Sequence, residues 1–208
     1  LLLQRGAKIG AVIGINHPMQ LACMVDCIEG AKILLRYGAD PEEGDCAQWK
    51  GNETQNYIQS SQNRIADVFR AMKSKDYATV ESFLKVSRNP NATHEGHSLL
   101  EAAAANGDLA GINLMFRYGA DVNFVPENGY APLIAAITAP NCVPAIKALI
   151  AKGAEVTPKV VKSWSPLSWA AMMGPPEAVQ TLLEAGADPN HYGIDRRPAW
   201  FSALAEGH

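Results

Sequence analysis

The sequence predicts an all-α solenoid of stacked helix–turn–helix units, and three observations carry that prediction. First, Arg-Tyr-Gly-Ala-Asp is spelled twice, at Arg36–Asp40 and Arg117–Asp121, each time after a bulky apolar run. Second, Gly-Ala pairs in this setting recur at Gly6, Gly38, Gly119, Gly153 and Gly186, in steps of 32, 81, 34 and 33 residues. Ser87-Arg88, after "SFLKV", stands where a degenerate pair divides the long step into 49 and 32. A recurring period of about 33 residues marks a repeat architecture. Third, each unit repeats one internal grammar of short helix, Gly turn, second helix and Gly stop.

That grammar is clearest in "SPLSWAAMMGPPEAVQTLLEAGADPN", Ser165 to Asn190. Ser165 suits a helix N-cap, and Pro166 suits the first turn, where no backbone N–H is needed. Ala170 and Ala171 let two helices approach closely. Val179, Leu182 and Leu183 lie on one stripe at helical spacing. Gly186 then supplies the left-handed residue that ends the second helix.

In chain order, Leu1–Arg5 reads as the end of a second helix, and a full unit runs to Asp40. A stretched connection follows over 41–63, polar and rich in Gln and Asn, with Trp49 and Tyr57 as isolated aromatics. It is expected to be a surface loop. Helices are expected near Arg64–Met72 and Tyr77–Lys85, and three more units end near Asn123, Val156 and Asn190. "PAWFSALAEGH" fits a first helix only, so both ends read as cut within a repeat. The domain reading is N-terminal repeats over 1–40, an extended inter-repeat loop over 41–63, and C-terminal repeats over 64–208.

Composition narrows the function classes. A chain of 208 residues with 48% hydrophobic and 19% charged residues buries a real core. With 18 basic against 21 acidic residues the net charge is −3, without the basic excess that phosphate binding needs. No apolar run approaches the ~18–20 residues that span a bilayer. The four cysteines, Cys23, Cys27, Cys46 and Cys142, show no CxxC spacing and read as reduced thiols in a cytoplasmic or otherwise intracellular protein.

These units resemble the ankyrin repeat, whose signature is T-P-L-H-x-A-A, a Gly, an aliphatic helix and G-A-D-x-N. "SPLSWAAMMG" matches with Ser168 in the His place, and "APLIAAITA" with Ile134 there. "HPMQLAC" and "SLLEAAAANGD" match more loosely, and "GADPN", "GADVN" and "GADPE" match the stop. The resemblance implies helix pairs joined by hairpin-like loops, and a module that binds another protein through a concave surface. That surface is lined by the residue before the T-P position and the two residues after A-A. Carried over by position, the strongest candidates are Tyr130, Trp164, Met172, Met173, His97 and Thr138, with Asn16, Met24, Val25, Ala105, Asn106, Ala139, Arg196, Leu204 and Ala205 at the remaining places. Equal steps of 34 residues, Tyr130 to Trp164 and Ala139 to Met173, predict that equivalent positions stack into one patch.

Other candidate sites are weaker. His94-Glu95-Gly96-His97 lacks the spacing of a helical zinc motif and a nearby third ligand. Cys23 stands in the second Ala place of the signature and is expected in the core. Asp26, Asp76 and Asp108 fall at inter-helix turns, where capping is the expected role. No phosphate loop or nucleophile elbow is present. The expectation is a monomeric, non-enzymatic scaffold or adaptor that uses no cofactor or metal and binds a protein rather than nucleic acid or membrane. The alternative is a substrate-recruiting arm of a larger enzyme.

Overall fold

The helical periods and capping residues fold as a set of short antiparallel helix pairs. The structure, a computed structural model, describes residues 18–36, 53–126, 129–158, 164–191 and 198–201. Leu1–Arg5, the connection from Pro41 to Asn52, and the positions Asn16, Arg196, Leu204 and Ala205 lie outside the described residues. Two compact units divide the chain, Leu1–Glu95 and Gly96–His208.

In the first unit, α1 (Pro18–Met24) and α2 (Ile28–Arg36) form one pair. α3 (Glu53–Lys73) and α4 (Tyr77–Ser87) form the next, with the short strand β1 (Thr93–His94) packed on α3. Met19, Ala22, Cys23, Ala31 and Ile58 make a shared core, flanked by Leu34 and Leu35.

The loop expected over 41–63 is corrected from residue 53 onward. α3 begins at Glu53, eleven residues before Arg64, and runs for 21 residues. Its buried stripe is Thr54, Ile58, Ser61, Ile65, Val68, Phe69 and Met72, a helical period. Two of the first three members are small hydroxyl residues, which hides the period from a hydropathy reading. Ser61 satisfies its hydroxyl by donating to the Tyr57 carbonyl at 3.0 Å. Tyr57 is not an isolated loop aromatic: Lys32 Nζ and Arg64 Cζ lie 5.8 and 6.0 Å from its ring centre. The start of α3 is set from the preceding pair, because Asp26 Oδ1 accepts from the Thr54 N–H at 2.9 Å. A carboxylate there satisfies an end group that the helix itself cannot.

The thiol reading is corrected at Cys23, which is fully buried and disulfide-bonded. Cys27 and Cys142 are free. Disulfides persist in oxidising surroundings, so the cysteines no longer argue for an intracellular compartment.

The second unit opens with β2 (His97–Ser98) and three helix pairs: α5 (Leu99–Ala105) with α6 (Leu109–Arg117), α7 (Pro132–Ile137) with α8 (Cys142–Ala151), and α9 (Pro166–Met173) with α10 (Pro176–Glu184). The first helices stack as α5–α7–α9 and the second helices as α6–α8–α10. Ala103, Ala104, Ala136, Ala170 and Ala171 are buried between them, with Leu100, Ile112, Met115, Leu133, Ile146, Leu149 and Leu182 filling the core. Small residues on the first helices are what let neighbouring repeats come close.

The stop motif has a physical account. Gly119, Gly153 and Gly186 have φ of +81°, +91° and +87°, and a Cβ at any of them would meet nothing within 4 Å. Conformation, not space, demands glycine there. Beyond the glycine, Asp121 and Asp188 accept from the N–H two residues on, closing turns at 2.9 Å. Asn123 then reaches into the next repeat, donating to the Gly153 carbonyl at 3.1 Å and accepting from the Glu155 N–H at 2.9 Å. In the degenerate unit Arg88 takes the left-handed conformation, φ +52°, one residue past the Gly place, and Asn89 repeats the turn to Asn91.

Candidate binding surface

The chain entering α7 is held at Tyr130 by a buried carboxylate. Ser98 and Glu101 form a capping box: Ser98 Oγ accepts from Glu101 N at 3.1 Å, and Ser98 N donates to Glu101 Oε2 at 3.2 Å. Glu101 is only 4% exposed. Its other oxygen, Oε1, lies 3.0 Å from His97 Nδ1 and accepts from the Tyr130 N–H at 3.1 Å. A buried carboxylate is tolerable because donors surround it. The family's His position is thus filled three ways in successive repeats, by Glu101, Ile134 and Ser168. All three are buried, and Glu101 reaches the start of the following repeat, where it accepts from the Tyr130 N–H.

Three aromatic rings meet in a row here. The Tyr130 and Trp169 centroids are 5.5 Å apart with planes tilted by 36°, and Trp164 and Trp169 are 5.8 Å apart at 54°. Tilted contacts at this separation are favourable for aromatic pairs. Tyr130 is 39% exposed, whereas Trp164 and Trp169 are half-buried. Position-by-position carry-over from the motif does not find Trp169, which stands in the x of P-L-H-x-A-A. The signal was present nonetheless: the equivalent residues one and two repeats earlier are Ala135 and Ala102, so a tryptophan there is a departure.

The remaining candidates sit at the other end of the first helices. Thr138 is the exposed C-cap of α7. Met172 is half-buried and Met173 is 58% exposed in the last turn of α9. An eight-residue helix spans about 12 Å, so the six candidates form an aromatic group at the helix starts and a Thr–Met group at the helix ends. His97 is exposed and reaches the aromatic group through Glu101.

The other sequence candidates have local partners. His94 packs against Phe69 with centroids 5.5 Å apart, while His97 pairs with Glu101. Among the described residues no cluster of three His, Cys, Asp or Glu side chains is placed to hold a metal. Asp76 caps α4, accepting from Thr79 N and Oγ1 at 3.3 and 2.6 Å, and these bonds hold its carboxyl below the ordinary aspartate range. Asp26 is held low by the Thr54 backbone N–H. In the first unit Leu21, Val25 and Ile33 border a shallow apolar groove of about 400 Å³. Ile33 aligns with Leu114 and Thr181, both buried in the second unit, and with the half-buried Ala148.

Helix pairs at a 33-residue step, left-handed glycine stops and stacked first helices define an ankyrin-repeat solenoid. The family model for ankyrin repeats (3 copies) matches residues 68–160 and again 100–192, together more than half of the chain, and the protein belongs to this family. It is 35% identical over 101 residues to the E3 ubiquitin-protein ligase KEG of Arabidopsis thaliana, covering 46% of this chain and 6% of that protein. It is 32% identical over 114 residues to the ankyrin repeat protein nuc-2 of Neurospora crassa, covering 54% of this chain and 10% of that protein. The chain therefore spans a tenth or less of the curated relatives it matches. Ankyrin repeats generally mediate protein–protein interaction. No helix among the described residues is long and apolar enough to cross a membrane.

Proposed function

We propose that this protein is a monomeric, non-catalytic adaptor or scaffold that binds a partner protein across the first-helix face of its second unit. Tyr130, Trp164, Met172, Met173, His97 and Thr138 form the contact surface, with Trp169 as the ring that links Tyr130 to Trp164. The observation that carries this reading is the aromatic row with a 58% exposed methionine beyond it, on a face where the repeat two earlier carries Ala102, Ala105 and Asn106. Rigid aromatics and adaptable methionines are residue types that dominate binding hot spots and plastic interfaces.

The test is to replace Trp164 and Met173 by Ala, separately, and to measure melting temperature and capture of cross-linked partner by mass spectrometry. Capture lost with an unchanged melt supports the surface. A melt lowered by many degrees, with capture falling only as the unfolded fraction rises, refutes it. A second reading, a substrate-recruiting arm of a larger enzyme, is favoured by one observation, the similarity to a protein named as an E3 ubiquitin ligase. The full open reading frame decides between them, since a catalytic signature outside these residues supports the second.

A further inference from the structure

We propose that Glu101 is the positioning residue of this surface: its buried carboxylate pins the chain at Gly129–Tyr130 and so sets where the Tyr130 ring meets Trp169. The inference rests on reading that face as the partner surface, but its test needs no partner. Of the three donors around the carboxylate, Ser98 N and His97 Nδ1 belong to its own repeat, and Tyr130 N comes from the next. Gly129 also lies flush on the carboxylate. A Cβ at Gly129 would fall 2.5 Å from Glu101 Oε2, 2.7 Å from the Gly96 carbonyl and 3.0 Å from Pro126 Cγ. Close approach, not an unusual backbone angle, therefore reserves position 129 for glycine. One repeat on, the side chain at the same place, Ile134, has no acceptor to offer Trp164. Tyr130 is thus held at its backbone by Glu101 while its ring packs on Trp169 at 5.5 Å.

The experiment compares the full chain with Glu101→Gln and Gly129→Ala. Glu101→Gln keeps the volume but turns one acceptor into a donor facing an N–H. Gly129→Ala leaves every hydrogen-bonding group in place and only pushes the chain off the carboxylate. The readouts are amide hydrogen exchange at Tyr130 and the near-ultraviolet circular dichroism of the Tyr–Trp row. Both variants are expected to exchange Tyr130 at least about tenfold faster, as loss of one hydrogen bond to a charged group implies. Both are also expected to lose near-ultraviolet signal while the amides of Ile112 and Leu149 keep their protection. Unchanged exchange and signal in the folded variants overturn the proposal, as does acceleration spread equally through α5, α7 and α8. If Glu101→Gln does not fold, Gly129→Ala decides alone by the same criteria. Failure of the surface reading shows separately, as Trp164→Ala that keeps full partner capture, and leaves the exchange result untouched.

Discussion

Replacing Ile58 by Ala separates a helix from a loop in the stretch that joins the two helix pairs of the first unit. Ile58 is 3% exposed and shares a core with Met19, Ala22, Cys23 and Ala31. Truncation removes three carbons, worth about 2.4 kcal/mol at roughly 0.8 kcal/mol per buried methylene. The cavity left behind adds to this, and buried Ile→Ala changes span about 2–5 kcal/mol. At about 2–4 °C per kcal/mol the melting temperature should fall by roughly 4–20 °C. The assay is thermal and urea unfolding followed by far-ultraviolet circular dichroism, with Gln59→Ala as the control. Gln59 is exposed on the next position of the same helix, where a surface change stays within about 0.5 kcal/mol. An Ile58→Ala protein as stable as Gln59→Ala would mean that the chain at Ile58 is not packed as a helix, and the reasoning would fail.

Acid should loosen the first unit through Asp26 and Asp76. Both carboxyls are held below their ordinary 3.8, Asp26 by the Thr54 N–H and Asp76 by the Thr79 hydroxyl and N–H. Their contribution is therefore present above pH 3.8 and is lost as pH falls through the lowered values. Asp26→Asn and Asp76→Asn should flatten the acid limb of a stability–pH curve, and a limb of unchanged steepness in the double variant would contradict this. The cysteines should alkylate in a fixed order. Cys27 is exposed and reacts first, whereas Cys142 is buried, its thiol pushed up by burial, and reacts slowly at pH 8. Cys23 labels only after reduction, and peptide mass mapping that finds it labelled in unreduced protein refutes its disulfide.

Much of the architecture was legible in the order of residues because the repeat writes local physics many times. A glycine where φ must be positive, an Asp that closes a turn two residues on, and alanines where helices meet recur at one step. Gly119, Gly153 and Gly186, Asp121 and Asp188, and the Ala170–Ala171 pair therefore announced the helix ends and the stacked faces without reference to anything distant. Equal steps in a solenoid put equivalent residues side by side, so Tyr130 and Trp164 read as neighbours in sequence, and in the structure both meet Trp169.

Tertiary structure alone decided what depends on residues far apart in the chain. α3 begins at Glu53 because Asp26 accepts from the Thr54 N–H, 28 residues on, and because Ile58 enters a core built mostly by another helix pair. Hydropathy over 53–63 shows one large apolar residue and cannot reveal a stripe completed by Thr54 and Ser61. Glu101 reads as an ordinary charged helix residue until the fold brings the Tyr130 N–H to it across 29 positions. Trp169 likewise gains a role only when Tyr130 and Trp164, distant in sequence, both meet its ring. Sequence spacing determines which residues share a face, whereas the donor that meets a buried acceptor is chosen by packing between repeats.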